Sequence, residues 1–480
     1  MKLQKKLMPL HETSMRILSE IGMRFHHSAA LGLFQDHGFR VEKEVVRFDP
    51  DLLMAKVANA PSCFRLYALN KTHDVVIGGQ NTEFAPCYGA SFIVSPEGDR
   101  RNGTMADYLT LLRLVHQSDL FHINGGILVQ PSDVPPQAVL PVMTLASLFN
   151  SDKCLFSANG DRQTTDIHFS LLEQVFGGRN SMARNPRTFT IINTISPLQI
   201  DAQSVETLLA YAERKQPVVV SPTVMAGTTG PVTLAGTLAL ANAEALAVIC
   251  LAQLVSPGTP VVYGCQAAPA DMRTAQISIG SPSRSLCIQT GAALAKAYRL
   301  PYRSGGCDTD EYLIDARCGS ETMMAMMATC LSDTHLVIHA AGIMGSYGAV
   351  SPEKMVFDMA TIQRIRSLQN GIDISEDHLA FEVIKQVGIG GEYLTSPHTL
   401  KYCRNSDLQS ELFKRTPSGK GKTDDLIQQI QQEIEKQLSR FSPPDLSPSL
   451  KLELMRLVKK NCPTLKPQWL GLESDTLEEQ

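Results

Sequence analysis

Between residues 83 and 350 the chain repeats one pattern. A short apolar, β-branched run ends in Gly, Asn, Ser or Pro, and a helical stretch follows. Eight such runs can be counted: "FAPCYGASFIV", "FHINGGILV", "DKCLFSANG", "RTFTIINTIS", "QPVVVSPTV", "TPVVYGCQ", "PYRSGGCD" and "HLVIHAAGIM". Apolar strands without alternation are buried on both faces, the mark of a parallel sheet flanked by helices. Eight units predict a closed (β/α)8 TIM barrel over residues 81–400. An open, doubly wound sheet is the alternative. It normally carries a glycine-rich phosphate loop after its first strand, and neither GxGxxG nor GxxxxGK[ST] occurs here.

The flanks read as helical extensions. In residues 1–80, Met15, Ile17, Leu18, Ile21 and Met23 repeat near helical spacing, a second helix spans about Ala29–Gln35, and a third opens at Pro50. "CFRLYAL" and "THDVVIG" are two short strands, read as part of a cap outside the main body. In residues 401–480, "RTPSGKGKTDD" is a linker. Leu426, Ile427, Ile430, Ile434 and Leu438 then stripe one helix, and Leu450, Leu452, Leu454, Met455 and Val458 lie on another. Those faces predict packing against the barrel or against a second copy, as in a homo-oligomer.

Forty-four basic against 48 acidic residues, net −4, argue against a nucleic-acid binder, which needs a concentrated basic surface. The most apolar stretch, 234–255, is interrupted by Asn242, Glu244 and Gln253, so a buried helix is expected and no membrane association. No secretory signal is read at the start, which leaves the cytoplasm as the default compartment. The eleven cysteines are scattered without CxxC and read as small buried hydrophobes.

HExxH and GxSxG are absent. His335 and His339 share a predicted strand, where i and i+4 lie about 13 Å apart, too far for a shared metal. In a barrel, function belongs at the carboxyl ends of the strands. That rule yields Tyr88, Asn124, Asn159, Asn193, Ser196, Tyr263, Cys265, Gln266, Asp308, Asp310 and His339, with Tyr347 in the glycine-rich loop that follows. Such a roster, aromatic and mostly uncharged, suits a small cation or a zwitterion better than a phosphate.

Several blocks carry a resemblance. "GTTGPVTLAGTLALANAEALAVICLAQLVSPGTPVVYG" (227–264), "APADMRT", "DARCGSE", "HAAGIMGSYGAVSPEK" and "VGIGGEYLTSPHTLKYCR" stand in an order that resembles the trimethylamine methyltransferase family. The early "HETSMRILSEIGMRF" and "FDPDLLMAKVANAP" are similar to its opening pattern. The resemblance implies a (β/α)8 enzyme that moves a methyl group from a methylated amine to a reduced corrinoid carried by a separate, cognate corrinoid protein. Founding members carry pyrrolysine after the eighth strand. This chain has Met344-Gly345-Ser346-Tyr347 there, and Arg317 where the family's "DxQAGxE" element has Gln.

The branch lacking pyrrolysine resembles enzymes for quaternary amines, which implies glycine betaine first, with proline betaine, carnitine or a non-catalytic quaternary-ammonium binder as alternatives. A quaternary nitrogen leaves as a neutral amine, so no acid, nucleophile or protein-bound metal is expected and no catalytic residue is assigned. Positioning alone can be worth roughly 7–11 kcal/mol. An aromatic cage from Phe84, Tyr88, Tyr263 and Tyr347 would hold the ammonium at about 0.5–2 kcal/mol per face. Arg303, His339 or Gln266 would meet a carboxylate. Asn193 and Asp308 complete the expected binding set.

Overall fold

The computed structural model describes residues 5–403, 411–413 and 423–473; of the expected linker at 415–425, residues 415–422 lie outside them and 423–425 already belong to the helix Thr423–Ser439. Eight parallel segments follow one another around the molecule. They are Glu83–Phe84, the bridge at Ile123, Leu155–Phe156, Thr188–Ile192, Val218–Val220, Val261–Tyr263, Arg303–Ser304 and Leu336–Val337. Seven neighbouring junctions carry parallel pairing: first to eighth, eighth to seventh, and so down to third with second. Residues 83–86 and 122–124 form no ladder among the described residues. Their loops nonetheless touch, Gly89 N donating to Ile127 O at 2.7 Å.

Alternate residues of each strand face opposite ways. Ala85, Ile123, Phe156, Phe189, Ile191, Val219, Val262, Leu336 and Ile338 gather in one interior cluster. Their neighbours Phe84, Ile192, Val218, Val220, Val261, Tyr263 and Val337 pack outward with the helices. Both phases are buried, so the strands read as unbroken apolar runs.

Most of the helices that follow begin at capping residues; Val139–Asn150 and Leu234–Val255 have no side-chain cap. Thr104 forms a reciprocal box with Asp107, and Asp161, Asp201, Ser281 and Ser351 each accept an amide of the first turn. Such a cap is worth about 1 kcal/mol. The helix Leu234–Val255 is long and apolar enough to cross a membrane, yet 94% of its most apolar stretch is buried within the fold.

Three expectations change. The run 84–94 divides: after Glu83–Phe84 the chain turns, and Phe92–Val94 joins Arg100–Asn102, Ile343–Met344 and Ala349–Val350 in a small sheet. The first helix is Met8–Arg16, extended by a π turn, and Met23 opens a strand. The strands Cys63–Leu66 and Val75–Gly78 form an antiparallel hairpin that belongs to the body of the fold. Leu66, Ala68, Val75 and Ile77 fill the interior cluster from below. Tyr67 N and Asn70 N donate to Pro186 O and Asp152 O, at the amino ends of the fourth and third strands.

Candidate functional site

At the carboxyl ends of the strands a polar cluster is built from five segments. Gln266 follows the sixth strand, Arg303 begins the seventh, Asp308 lies in the loop after it, and His339 and Tyr347 follow the eighth. Arg284 enters from the first turn of the helix Pro282–Tyr298 and is wholly buried. It donates to Gln266 Oε1 and, at 3.2 Å, to Ala267 O. Its Nε stands 3.9 Å from Asp308 Oδ2. The Tyr347 hydroxyl lies 3.3 Å from Asp308 Oδ2 and 3.5 Å from Gln266 Oε1. Arg303 Nη1 donates to Ser221 Oγ at 3.2 Å.

Four buried atoms of this network, Gln266 Nε2, Arg284 Nε, Arg303 Nε and Asp308 Oδ1, have no hydrogen-bond partner among the described residues. Buried polar atoms are almost always partnered in native proteins. These four atoms leave the network open to further polar partners, a water or a ligand group. Burial lifts the Asp308 carboxyl to about 6 even though Arg284 and Arg303 oppose the shift. It lowers Arg303 to about 10 and, with both guanidinium groups, holds His339 well below its usual value. At neutral pH the cluster thus has two cations, a mostly ionised carboxylate and a neutral imidazole, an excess of positive charge.

An aromatic corner adjoins it. The Tyr88 ring stacks on Phe156 at 4.5 Å and 12°, and Phe156 stacks on Phe189 at 4.5 Å and 9°. Tyr88 N donates to His339 Nδ1 at 3.3 Å, which puts the imidazole proton on Nε2. The His339 ring lies 4.6 Å from that of Tyr347.

The backbone here is strained. His339, Gly345, Ser346 and Tyr347 have φ of 64°, 53°, 55° and 72°, costing of order 1–3 kcal/mol at each non-glycine position. Gly345 is required, since a Cβ there would fall 2.1 Å from Tyr312 Cε1. Asp310 holds the tip. Its carboxylate accepts from Ser346 Oγ (2.8 Å), Ser278 Oγ (2.8 Å), Ile279 N (2.8 Å) and Gly280 N (3.2 Å). One side chain thereby ties together the loops after the sixth, seventh and eighth strands.

Of the residues expected in the site, Tyr88, Gln266, Arg303, Asp308, His339 and Tyr347 are brought together. Phe84 and Tyr263 are not. Each occupies the outward phase of its strand, Phe84 under the Arg366 guanidinium and Tyr263 donating to Asn242 Oδ1 at 2.9 Å. Asn193 is exposed beyond the fourth strand. Arg317 is also exposed, paired with Asp315 and Glu311. His335 lies at the opposite end of its strand from His339, accepting from Tyr302 N at 3.0 Å. Arg284, Ser221, Phe156 and Phe189 escaped the sequence reading. A lone arginine at the head of a mostly uncharged helix was the signal for the first; a strand-phase count outward from Val219 would have found Ser221.

The profile of the family described as "Trimethylamine methyltransferase (MTTB)" matches residues 3–463. A glycine betaine methyltransferase of Desulfitobacterium hafniense (strain Y51) is 37% identical over 457 residues, 95% of each chain. A proline betaine:corrinoid methyltransferase of Eubacterium limosum is 29% identical over 94% of this chain and 96% of its own. An L-carnitine:corrinoid methyltransferase of the same organism is 27% identical over 85% of each. Among solved structures, a hydroxylamine complex of MtmB superimposes with a TM-score of 0.50 at 12% identity, over 92% of this chain and 94% of that one. This likeness concerns the α/β fold alone.

Proposed function

The chain belongs to the trimethylamine methyltransferase family, and from that premise we propose that it transfers a methyl group from a quaternary amine, glycine betaine first, to the Co(I) corrinoid of a partner protein. The products are dimethylglycine and methyl-Co(III) corrinoid. The fold we propose is a closed (β/α)8 barrel, its last junction made by side chains and loops where no ladder forms. The interior cluster, drawn from both edges of that junction, supports this reading.

One observation carries the functional reading. An aromatic corner (Tyr88, His339, Tyr347) adjoins a buried, cation-rich cluster with unpartnered N–H groups at Arg303 and Gln266. Together these are the complement of a zwitterion with a trimethylammonium head and a carboxylate tail. The aromatic faces attract the cation, and Arg303 and Gln266 Nε2 donate to the anion. Arg284 and Asp308 hold Gln266 and Tyr347 in place.

The chemistry asks little else of the chain. The methyl–nitrogen bond breaks with its electron pair returning to nitrogen, so the amine departs neutral and needs no proton. Cobalt supplies the pair for the new bond. The residues at the mouth fix the carbon in line and exclude water, a positioning effect. No residue is assigned as acid, base or nucleophile.

Assay of the chain with free reduced cobalamin and a panel of methylated amines tests this. Glycine betaine is expected to give methylcobalamin, visible spectroscopically, in preference to proline betaine and carnitine, with trimethylamine inert. Binding of betaine with no conversion of fully reduced cobalamin would replace the enzyme by a quaternary-ammonium binder.

A further inference from the structure

Two charges lie buried behind the site, on the helix that follows the eighth strand. Lys354 and Asp358, one turn apart on Pro352–Gln369, are wholly buried and pair with each other. Around them on that helix, Met355, Val356, Met359 and Ile362 are buried apolar groups. The pair also holds backbone groups of two loops. Lys354 Nζ donates to Cys307 O at 3.2 Å, in the loop after the seventh strand. Asp358 Oδ2 accepts from Gly342 N at 2.8 Å, in the loop after the eighth. Cys307 N in turn donates to His339 O at 3.1 Å, and Ser351 N, at the head of the helix, to Gly342 O at 3.1 Å.

We propose that the Lys354–Asp358 pair is a positioning device for the site: by tying the Cys307–Asp308 peptide and the 339–342 turn to one helix, it sets where the His339 imidazole and the Asp308 carboxylate stand. Stability alone does not account for it. Desolvation cancels much of what a buried ion pair gains, and well-packed apolar residues often serve a fold as well or better. The turn, by contrast, needs holding. His339 has φ of 64°, a conformation that persists only where the surroundings impose it. On one side the first strand pins it, His339 N and Ala340 N donating to Pro86 O and Ala85 O, both at 3.0 Å. On the other side it meets the loop after the seventh strand so closely that a Cβ on Gly306 would fall 2.6 Å from Ala340 Cα. The ion pair holds the flanks of that contact, Cys307 on one loop and Gly342 on the other.

Asp308 directly follows Cys307, so its carboxylate, 3.3 Å from the Tyr347 hydroxyl, moves with the peptide that Lys354 fixes. His339 packs on the Tyr347 ring and accepts from Tyr88 N. A small shift of either loop therefore reaches the polar cluster and the aromatic corner together. That these groups meet a quaternary amine rests on the proposed function; that the pair sets their geometry does not. Lys354 and Asp358 act through backbone groups and are positioning residues.

Lys354→Met alone strands a buried carboxylate and is expected to fold poorly, so the test uses two double variants of the full chain. Lys354→Met/Asp358→Leu removes both charges and both ties at similar volume. Lys354→Met/Asp358→Asn keeps an acceptor for Gly342 N. Both should retain wild-type circular dichroism. Calorimetric binding of glycine betaine, without cobalamin, should weaken about tenfold in the first and about threefold in the second, as preorganisation is lost and partly restored. Hydrogen exchange followed by mass spectrometry gives a readout independent of ligand. Peptides covering 305–309 and 339–343 should exchange at least about tenfold faster in the first variant, with the barrel strands unchanged. Wild-type exchange in those peptides, or wild-type betaine affinity in the first variant, overturns the inference. Exchange that quickens equally across the fold, or failure of both variants to fold, makes the pair a stability element and overturns it too. A wild-type chain that binds betaine but forms no methylcobalamin overturns the proposed reaction and leaves the positioning role standing. If the wild type binds no betaine, the substrate assignment falls and the exchange pattern alone decides the role of the pair.

Discussion

Replacing Arg303 separates recognition of the carboxylate from recognition of the methylated nitrogen. The side chain is 2% exposed and among the described residues has one hydrogen bond, to Ser221 Oγ, and an unpartnered Nε. A charged hydrogen bond in a desolvated site contributes about 2–3 kcal/mol, and about 1.4 kcal/mol is a factor of ten. Arg303→Met, which keeps most of the volume, should therefore raise KM for glycine betaine roughly 30- to 140-fold. Tetramethylammonium has the same methyl donor and no carboxylate; its turnover should change less than about threefold, because the aromatic corner is untouched. Arg303→Lys keeps the charge, loses the planar fork, and should fall between. The assay is methylcobalamin formation from each amine by each variant, with circular dichroism to verify folding. Equal losses on both amines would refute the reasoning, since Arg303 would then be shaping the site and not reading the anion. No loss on either would place the carboxylate elsewhere.

Asp310→Asn loses acceptance from one or two of its four donors, so the loop tip should slacken and kcat/KM for glycine betaine should fall about tenfold. Ser346→Ala, which removes one of those bonds, should cost less; wild-type kinetics for Asp310→Asn would show that the tip needs no latch. His168 gives a pH-dependent prediction. Buried between Thr144 Oγ1 (2.8 Å) and Tyr211 OH (3.3 Å), its imidazole is held by burial at about 3. Above pH 6.5 it is neutral in both the folded and unfolded states. As pH falls below 6.5 only the unfolded chain takes up the proton, so stability is lost down to about pH 3, at about 1.4 kcal/mol per unit. The stability of wild type relative to His168→Gln should drop by about 2 kcal/mol between pH 7 and 5 in denaturant titrations; a pH-independent difference would contradict the assignment.

The order of strands and helices was legible because a parallel strand buried on both faces is apolar throughout and most of the helices begin with a capping Asp, Ser or Thr. The same uniformity hid the strand phase. With both faces buried there is no alternation to read, and Phe84 and Tyr263 were placed in the cage although each is one residue out of step with the interior. Tyr88, Gln266, Asp308, His339 and Tyr347 were legible because polar and aromatic groups at strand ends stand out against apolar runs. Arg284 was not, since it reaches the site from a helix and its destination depends on tertiary packing alone. The hairpin 63–78 was misjudged for a related reason: nothing local says whether a short apolar strand covers a surface or fills a hole.

That hairpin has a kinetic consequence. Leu66, Ala68, Val75 and Ile77 fill the amino end of the interior cluster, so in the proposed reaction amine, product and carrier would all use the carboxyl ends of the strands. Betaine would then have to enter before the carrier docks, and dimethylglycine to leave after it departs.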